Sequence, residues 1–399
     1  MAPNRSRHPE RERHVVKVKA AVLNEVGAVR PYRDSEPISV REVSLASPGS
    51  GEVLVRMESA GVCHSDLSRV SGVRDCRTPM VLGHEGCGIV EEVGQDVRDV
   101  KVGDKVTMTF MPRCGECPSC QAPGWSLCER GVAANAAGTM LAGGRRLSSN
   151  GVALDHHGGV SAFAEYAVVD AHSVVVIPAE IPSPVGALLG CAVLTGGGAL
   201  INAGRATAGQ RVAVVGLGGV GLAAALVARA IDAATVTAID TNMAKLAAAS
   251  EFGADDAYTP DEALDAGLRF DIVVECVGHP LALESAVKLT AVGGTTVTVG
   301  LAGRGSTLNV DMLSLVIEAR SIVGSYMGSG IPKGDIGRYV GMYLDGRLPI
   351  EKLITGHTSL EGINRAMDRL DEGLEIRQIV DLDPAASTED RTLTAGRRP

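Results

Sequence analysis

The rhythm of apolar positions in this chain changes near residue 193. Over residues 15–192, short valine-rich runs alternate with glycine and proline turns, as in Gly51-Glu52-Val53-Leu54-Val55-Arg56 and Val102-Gly103-Asp104-Lys105-Val106. Short runs bounded by turn formers predict strands, and their succession predicts a partly open barrel of mostly antiparallel strands. From 193 to 326 the apolar runs alternate with helical patterns. Strands are expected over 211–215, 235–239, 271–276 and 295–300, and helices over 222–231, 242–252 and 281–289. That alternation builds a doubly wound parallel sheet, so the expected fold class is α/β with two units. The first fourteen residues are Arg- and His-rich without apolar periodicity and read as a disordered arm, and residues 385–399 read as a polar tail. Apolar stretches such as 222–231 are interrupted or too short to cross a bilayer, so no membrane is expected.

Composition adds two constraints. A chain of 399 residues with 45% apolar content exceeds what one core usually spans. Aromatic residues make up only 3%, so burial rests on Val, Ala, Leu and Ile, which suits a parallel sheet covered on both faces. A net charge of -9 argues against nucleic acid as the main partner.

The nine cysteines carry the first chemical signal. Cys114, Cys117, Cys120 and Cys128 form a C-x-x-C-x-x-C-x7-C lobe within residues 112–130, the spacing of a closed four-thiolate zinc site. No apolar secretory leader is evident at the N-terminus, which favours a reducing, cytoplasmic setting over disulfides. Cys63, His84 and Cys191 lie far apart, and their spacing by itself says little. Two thiolates and one imidazole would hold zinc with a fourth position open, which is what chemistry at a metal requires. Cys76, Cys87 and Cys276 are expected to pack, and the adjacent His156 and His157 lack a third metal ligand in view.

The second signal is Val214-Val215-Gly216-Leu217-Gly218-Gly219-Val220-Gly221, an apolar strand running into a glycine turn that opens a helix. Gly216 permits the bend, Gly218 lets backbone amides approach a pyrophosphate, and Gly221 lets the helix pack on its strand. The next strand ends in Asp240, where a carboxylate accepts hydrogen bonds from a ribose diol and repels a 2'-phosphate, so NAD is expected rather than NADP.

On these residues, and on Gly61-Val62-Cys63-His64-Ser65-Asp66 and Gly83-His84-Glu85, the chain resembles the zinc-dependent medium-chain alcohol dehydrogenases from about residue 17 to 383. The resemblance implies a GroES-like barrel as the catalytic domain over 15–192, a Rossmann NAD-binding domain over 193–326, and a return to the catalytic domain over 327–384. It implies Cys63, His84 and Cys191 as ligands of a catalytic zinc, with the four-cysteine lobe holding a structural one. Glu85 matches a carboxylate near the metal, Ser65 a proton-relay hydroxyl, and Asp66 the acid behind the zinc-bound imidazole. His64 and Arg377 match residues at the cofactor phosphates, and Asp240 and Lys245 match those at the adenosine ribose. Thr195 and Val220 match residues at the nicotinamide and Val299 a cofactor-binding position, with Gly219 in the phosphate turn. Phe110, Ala133 and Gly158 match substrate-pocket positions.

The implied activity is reversible hydride transfer between a primary or secondary alcohol and NAD, in a cytoplasmic homodimer or homotetramer. Two departures stand out: Ser68 occupies the place where a long proton relay ends in histidine, and Ala133 and Gly158 are small, which predicts a roomy pocket. A thiol-adduct formaldehyde dehydrogenase shares the pattern, and a zinc-stapled binding protein without catalysis is the alternative of another class.

Overall fold

The computed structural model describes residues 15–383, so the arm expected over 1–14 and the tail expected over 385–399 lie outside the described residues. One sheet has six strands in the order Asp256–Tyr258, Thr235–Ile239, Arg211–Val215, Phe270–Glu275, Thr290–Thr298, Ser321–Gly324. Every neighbouring pair is parallel. The strand order reverses between Arg211–Val215 and Phe270–Glu275, and in open α/β sheets that reversal leaves a crevice at the carboxyl ends of the strands.

Side-chain alternation explains why this sheet is covered twice. Val212 and Val214 face a core shared with Leu222 and Leu226 of the helix Gly219–Ala230. Ala213 and Val215 face the other way, toward Ala263, Ala286 and Leu289 of the helices Pro260–Asp265 and Pro280–Leu289. The strand Asp256–Tyr258 and the edge strand Ser321–Gly324 escaped the pattern reading because they are short and no more than half-buried, without the apolar run of the inner strands. The expected helix over 242–252 divides into Met243–Ala248 and a 3₁₀ turn Ala249–Phe252, with the Asn242 side chain capping its start.

The remaining strands form two largely antiparallel sheets. Val15–Leu23 pairs with Ile38–Ala46 along its whole length, from Val15 opposite Ala46 to Leu23 opposite Ile38. Glu52–Val62 is the hub of the second sheet and pairs with Glu85–Val93, Tyr166–Asp170 and Arg377–Asp381. The chain therefore crosses the parallel sheet and comes back, so that Arg377 lies beside the strand that ends at Cys63.

One expectation fails. The helical segment Ser183–Ala203 has 21 residues and a mean hydropathy of 1.8, long and apolar enough to cross a membrane by length and composition. Within the protein, 83% of its apolar window is buried. It runs between the two sheet systems and widens to π-helical turns at Leu189–Val193 and Ala199–Ala203. Its apolarity follows from contact on several sides. A Cβ at Gly196 would strike the Val220 carbonyl of the neighbouring helix, and one at Gly198 would strike the Gly328 carbonyl.

Candidate active site and metal centres

The four-cysteine lobe is built by local chain. Cys117 starts the turn of helix Pro118–Gln121 and Cys128 starts the helix Glu129–Ala136. The four sulfurs lie within 4.8 Å of one another. None is in a disulfide, and Cys117 Sγ stands 3.9 Å from Cys128 Sγ, far beyond a sulfur–sulfur bond of about 2 Å. Backbone N–H groups point at the sulfurs: Cys117 N donates to Cys114 Sγ at 3.3 Å, and Gly131 N and Cys114 N donate to Cys128 Sγ at 3.3 and 3.4 Å. Burial opposes ionisation of Cys117, but the backbone of Cys120 and Glu129 and the neighbouring thiols bring it down to about 6. Four clustered sulfurs with donors aimed at them suit a tetrahedral zinc, and no other chemistry in the lobe calls for them.

The second cluster is assembled from three distant elements. Cys63 lies between the strand Glu52–Val62 and the helix His64–Val70, His84 precedes the strand Glu85–Val93, and Cys191 sits in the π-helical turn. Donor atoms of Cys63, His84, Glu85 and Cys191 lie within 4.8 Å of one another, and all four residues are buried. Cys191 Sγ is 3.6 Å from His84 Nε2. A hydrogen bond from Cys191 is the largest influence holding the Cys63 thiol well below its ordinary value.

Behind His84 stands Asp66, fully buried. Its Oδ2 accepts from Cys63 N at 3.1 Å, and its Oδ1 accepts from Gly83 N at 3.2 Å and faces His84 Nδ1 at 3.2 Å. Burial would raise the Asp66 carboxyl, but the imidazoles of His84 and His157 hold it far below the usual carboxylate range. His84 thus turns Nδ1 to a carboxylate and Nε2 to the thiols, the orientation that a metal-binding imidazole needs.

Glu85 is unlike Asp66. Both of its oxygens are buried without a hydrogen bond, and its nearest cation is Arg377, Nη2 to Oε1 3.7 Å. Burial pushes its carboxyl up to about 7 against the pull of Arg377. Orphaned oxygens beside two thiols and an imidazole are what a divalent cation would satisfy, so this donor set also fits zinc.

Arg377 joins the cluster to the glycine turn. A Cβ on Gly219 would meet the Arg377 guanidinium carbon at 2.5 Å, so the arginine lies flat over the first turn of the helix Gly219–Ala230. In the turn, Gly216 has φ +93°, while Gly218 has nothing within 4 Å of its Cβ position and leaves the backbone open to a ligand. Asp240 organises the same turn: Oδ2 accepts from Leu217 N at 2.7 Å and Oδ1 from Asn242 N at 2.9 Å. Thr195, Val220, Lys245 and Val299 are half-buried, and Val299 N donates to Glu275 O at 2.9 Å. His64 is exposed next to Cys63.

Three features were not legible beforehand. His157 faces Asp66, with Nδ1 3.0 Å from Oδ1, and its ring centroid is 4.8 Å from that of His84. Phe110 stands edge-on to His84 at 5.1 Å, and Tyr326 stands edge-on to Phe110 at 6.1 Å, so two aromatic rings extend from the cluster. Neither His157 nor Tyr326 carries a spacing signal, since both arrive through tertiary contacts. The third concerns the two small residues expected at the pocket. Gly158 has φ +60° and its Cβ would lie 2.6 Å from Phe110 Cβ, while Ala133 is exposed on the helix Glu129–Ala136. A close backbone approach accounts for Gly158, so the smallness of these two residues does not establish a roomy pocket. Ser68 Oγ donates to His64 O at 2.7 Å, which commits its proton to the backbone.

Comparison with known proteins agrees with this geometry. The model of the alcohol dehydrogenase GroES-like domain matches residues 49–179, and that of the zinc-binding dehydrogenase domain matches 219–345. The chain is 36% identical over 382 residues to alcohol dehydrogenase class-3 of Drosophila melanogaster, covering 92% of this chain and 98% of that protein. Among solved structures, an alcohol dehydrogenase zinc-binding domain protein from Burkholderia ambifaria superposes with a TM-score of 0.86 at 32% identity, covering 93% of this chain and 100% of the other. Benzyl alcohol dehydrogenase from Acinetobacter calcoaceticus follows with a TM-score of 0.84 at 28% identity, covering 92% of this chain and 100% of the other.

Proposed function

The chain belongs to the zinc-dependent medium-chain alcohol dehydrogenase family, and from that premise we propose that it interconverts a primary or secondary alcohol and its carbonyl product at the buried cluster of Cys63, His84 and Cys191. The observation that carries the reading is a continuity: the cluster contains Glu85, Glu85 faces Arg377, and Arg377 covers Gly219 in the dinucleotide turn. Metal-type donors and a nucleotide-type turn thus share one arginine. We assign residues 15–192 and 327–384 to the catalytic unit and 193–326 to the cofactor unit, a division supported by which sheet each strand joins.

In this reading Cys63, His84 and Cys191 hold the catalytic zinc, and Cys114, Cys117, Cys120 and Cys128 hold a structural one. Zinc with three protein ligands supplies Lewis acidity at a substrate oxygen, and NAD supplies the hydride acceptor. Asp66 keeps the proton of His84 on Nδ1, so that Nε2 remains a lone-pair donor. Glu85 is a further oxygen donor for ligand exchange. Ser65, half-buried beside Cys63, takes the hydroxyl proton and passes it toward solvent. Ser68 does not extend that path, since its hydroxyl proton is committed to His64 O. Phe110 and Tyr326 form an apolar wall that excludes water from the reacting carbon.

The turn Gly216–Gly221 receives the pyrophosphate on its backbone amides, with the N-terminal end of a 12-residue helix behind it. Arg377 adds positive charge there, and His64, whose protonation is disfavoured by desolvation of its ring and by Arg377, adds a ring N–H donor. Asp240, with lone pairs beyond the two that bind Leu217 N and Asn242 N, accepts from the ribose hydroxyls beside Lys245. Thr195, Val220 and Val299 border the nicotinamide.

A homodimer is the assembly we infer. The helix Met312–Ile317 exposes Met312, Leu313, Val316 and Ile317 by 67 to 79%, next to the edge strand Ser321–Gly324 whose outer side is unpaired among the described residues. A second copy placed edge to edge would cover both. A cytoplasmic location is supported by nine free cysteines, six of them in metal-type clusters that need reduced thiols.

The test is purified protein with measured zinc, offered a panel of primary and secondary alcohols with NAD or NADP, and formaldehyde with and without a small thiol. Two zinc ions per chain and growth of reduced-nicotinamide absorbance with an alcohol are expected. A zinc-replete protein that reduces neither cofactor with any alcohol would falsify the reading. Turnover of formaldehyde only with the thiol would replace it by the thiol-adduct activity, and better use of NADP would overturn the part given to Asp240.

A further inference from the structure

His157 lies behind the cluster, and its immediate neighbour on one side is Arg69 of the helix His64–Val70, whose Nε donates to His157 Nε2 at 2.8 Å. A guanidinium has only donors, and it stays protonated at every accessible pH. The bond therefore needs a lone pair on Nε2, which leaves the ring proton on Nδ1. That nitrogen is buried and has no well-aligned partner among the described residues. It lies 3.0 Å from Asp66 Oδ1, the same oxygen that faces His84 Nδ1 at 3.2 Å. With a lone pair on Nδ1, two buried acceptors would oppose each other. Arg69 removes that arrangement by fixing the tautomer.

Asp66 is thus wedged between two imidazoles, with Gly83 N and Cys63 N completing its contacts. The two backbone N–H groups already restrain the carboxylate, and His157 Nδ1 adds a side-chain restraint on Oδ1, the oxygen that also faces His84. We infer that His157 is a positioning residue for the metal centre: through Nδ1 it pins Asp66, and Asp66 in turn aims His84 Nε2 at Cys63 and Cys191. Arg69 is the residue that keeps His157 in the donating tautomer. The inference rests on the reading that Cys63, His84 and Cys191 hold zinc.

The experiment compares His157→Phe, which keeps a ring but no hydrogen bond, with His157→Gln, whose carboxamide can donate to Asp66 and accept from Arg69. Zinc affinity is read by chelator competition, and ligand geometry by the visible bands of the cobalt-substituted protein. His157→Phe is expected to weaken one of two zinc sites about tenfold, the low end of the range seen when a metal ligand loses its direct hydrogen-bond partner, and to shift the cobalt bands. The four-cysteine site should be unmoved. His157→Gln should recover most of the loss, and Arg69→Gln should show a smaller weakening of the same site. Wild-type affinity and bands in His157→Phe, or a loss in His157→Gln as large as in His157→Phe, would overturn the inference. If His157→Phe does not fold, Arg69→Gln decides, and unchanged affinity there overturns it. Wild-type protein that holds only the four-cysteine zinc refutes the parent reading instead.

Discussion

Cys114, Cys117, Cys120 and Cys128 all come from one stretch of fifteen residues, whereas Cys63, His84 and Cys191 come from a strand end, an inter-strand turn and a π-helical turn. The local lobe is supported by its own backbone, whose N–H groups donate to Cys114 and Cys128. The dispersed cluster is supported by other side chains, Asp66 behind His84 and Arg377 facing Glu85. The contrast shows how construction limits use. Four thiolates drawn from one loop close around an ion, and such a site can only hold chain together. Donors brought from afar need partners of their own, and those partners link the cluster to the aromatic wall on one side and to the cofactor turn on the other.

The largest effect should come from His84→Ala or Cys191→Ala, which are expected to bring turnover to background while one zinc per chain remains and thermal unfolding stays near wild type. Loss of both metals in either variant would break the separation of the two sites. Next comes Cys117→Ser, predicted to lose the lobe's zinc and several kcal/mol of stability, because zinc binding contributes directly to folding. Trp125, the only tryptophan, lies within the lobe, so its emission should report this loss and stay constant in His84→Ala.

Asp66→Asn sharpens the contrast at a finer level. The carboxamide keeps the shape but removes the charge that orients His84, and zinc affinity at the dispersed site should fall about 10–100-fold with the lobe unaffected. Equal weakening of both zinc sites would remove the basis for treating them as independent. The smallest effect is expected from Gly219→Ala, whose added carbon would meet Arg377. It should raise the KM for NAD by about tenfold, roughly 1.4 kcal/mol, with zinc content intact. An unchanged KM would sever the proposed join between cluster and cofactor.

Legibility followed the same division. The strands 211–215 and 235–239 were readable to the residue because inner parallel strands are continuous apolar runs. The four-cysteine lobe and the glycine turn were readable because their geometry is set within a few residues of chain. Ser183–Ala203 was not anticipated as one helix, since three successive glycines in its middle argue against helix locally, and the close packing that needs them is invisible in one dimension. Gly158 was read only as a small pocket residue, and its positive φ and close contact with Phe110 were not visible in the sequence.

By itself the sequence determined the α/β class, the local zinc lobe and a dinucleotide turn, because each depends on periodicity or on spacing over a short stretch. Only the tertiary structure decided that Glu85 would lie unsatisfied beside two thiols, that Arg377 would return from the far end of the chain to cover Gly219, and that His157 would stand behind Asp66. Those contacts join residues tens to hundreds of positions apart, and nothing in the neighbourhood of any one of them along the chain records which partner the folded sheets will bring to it.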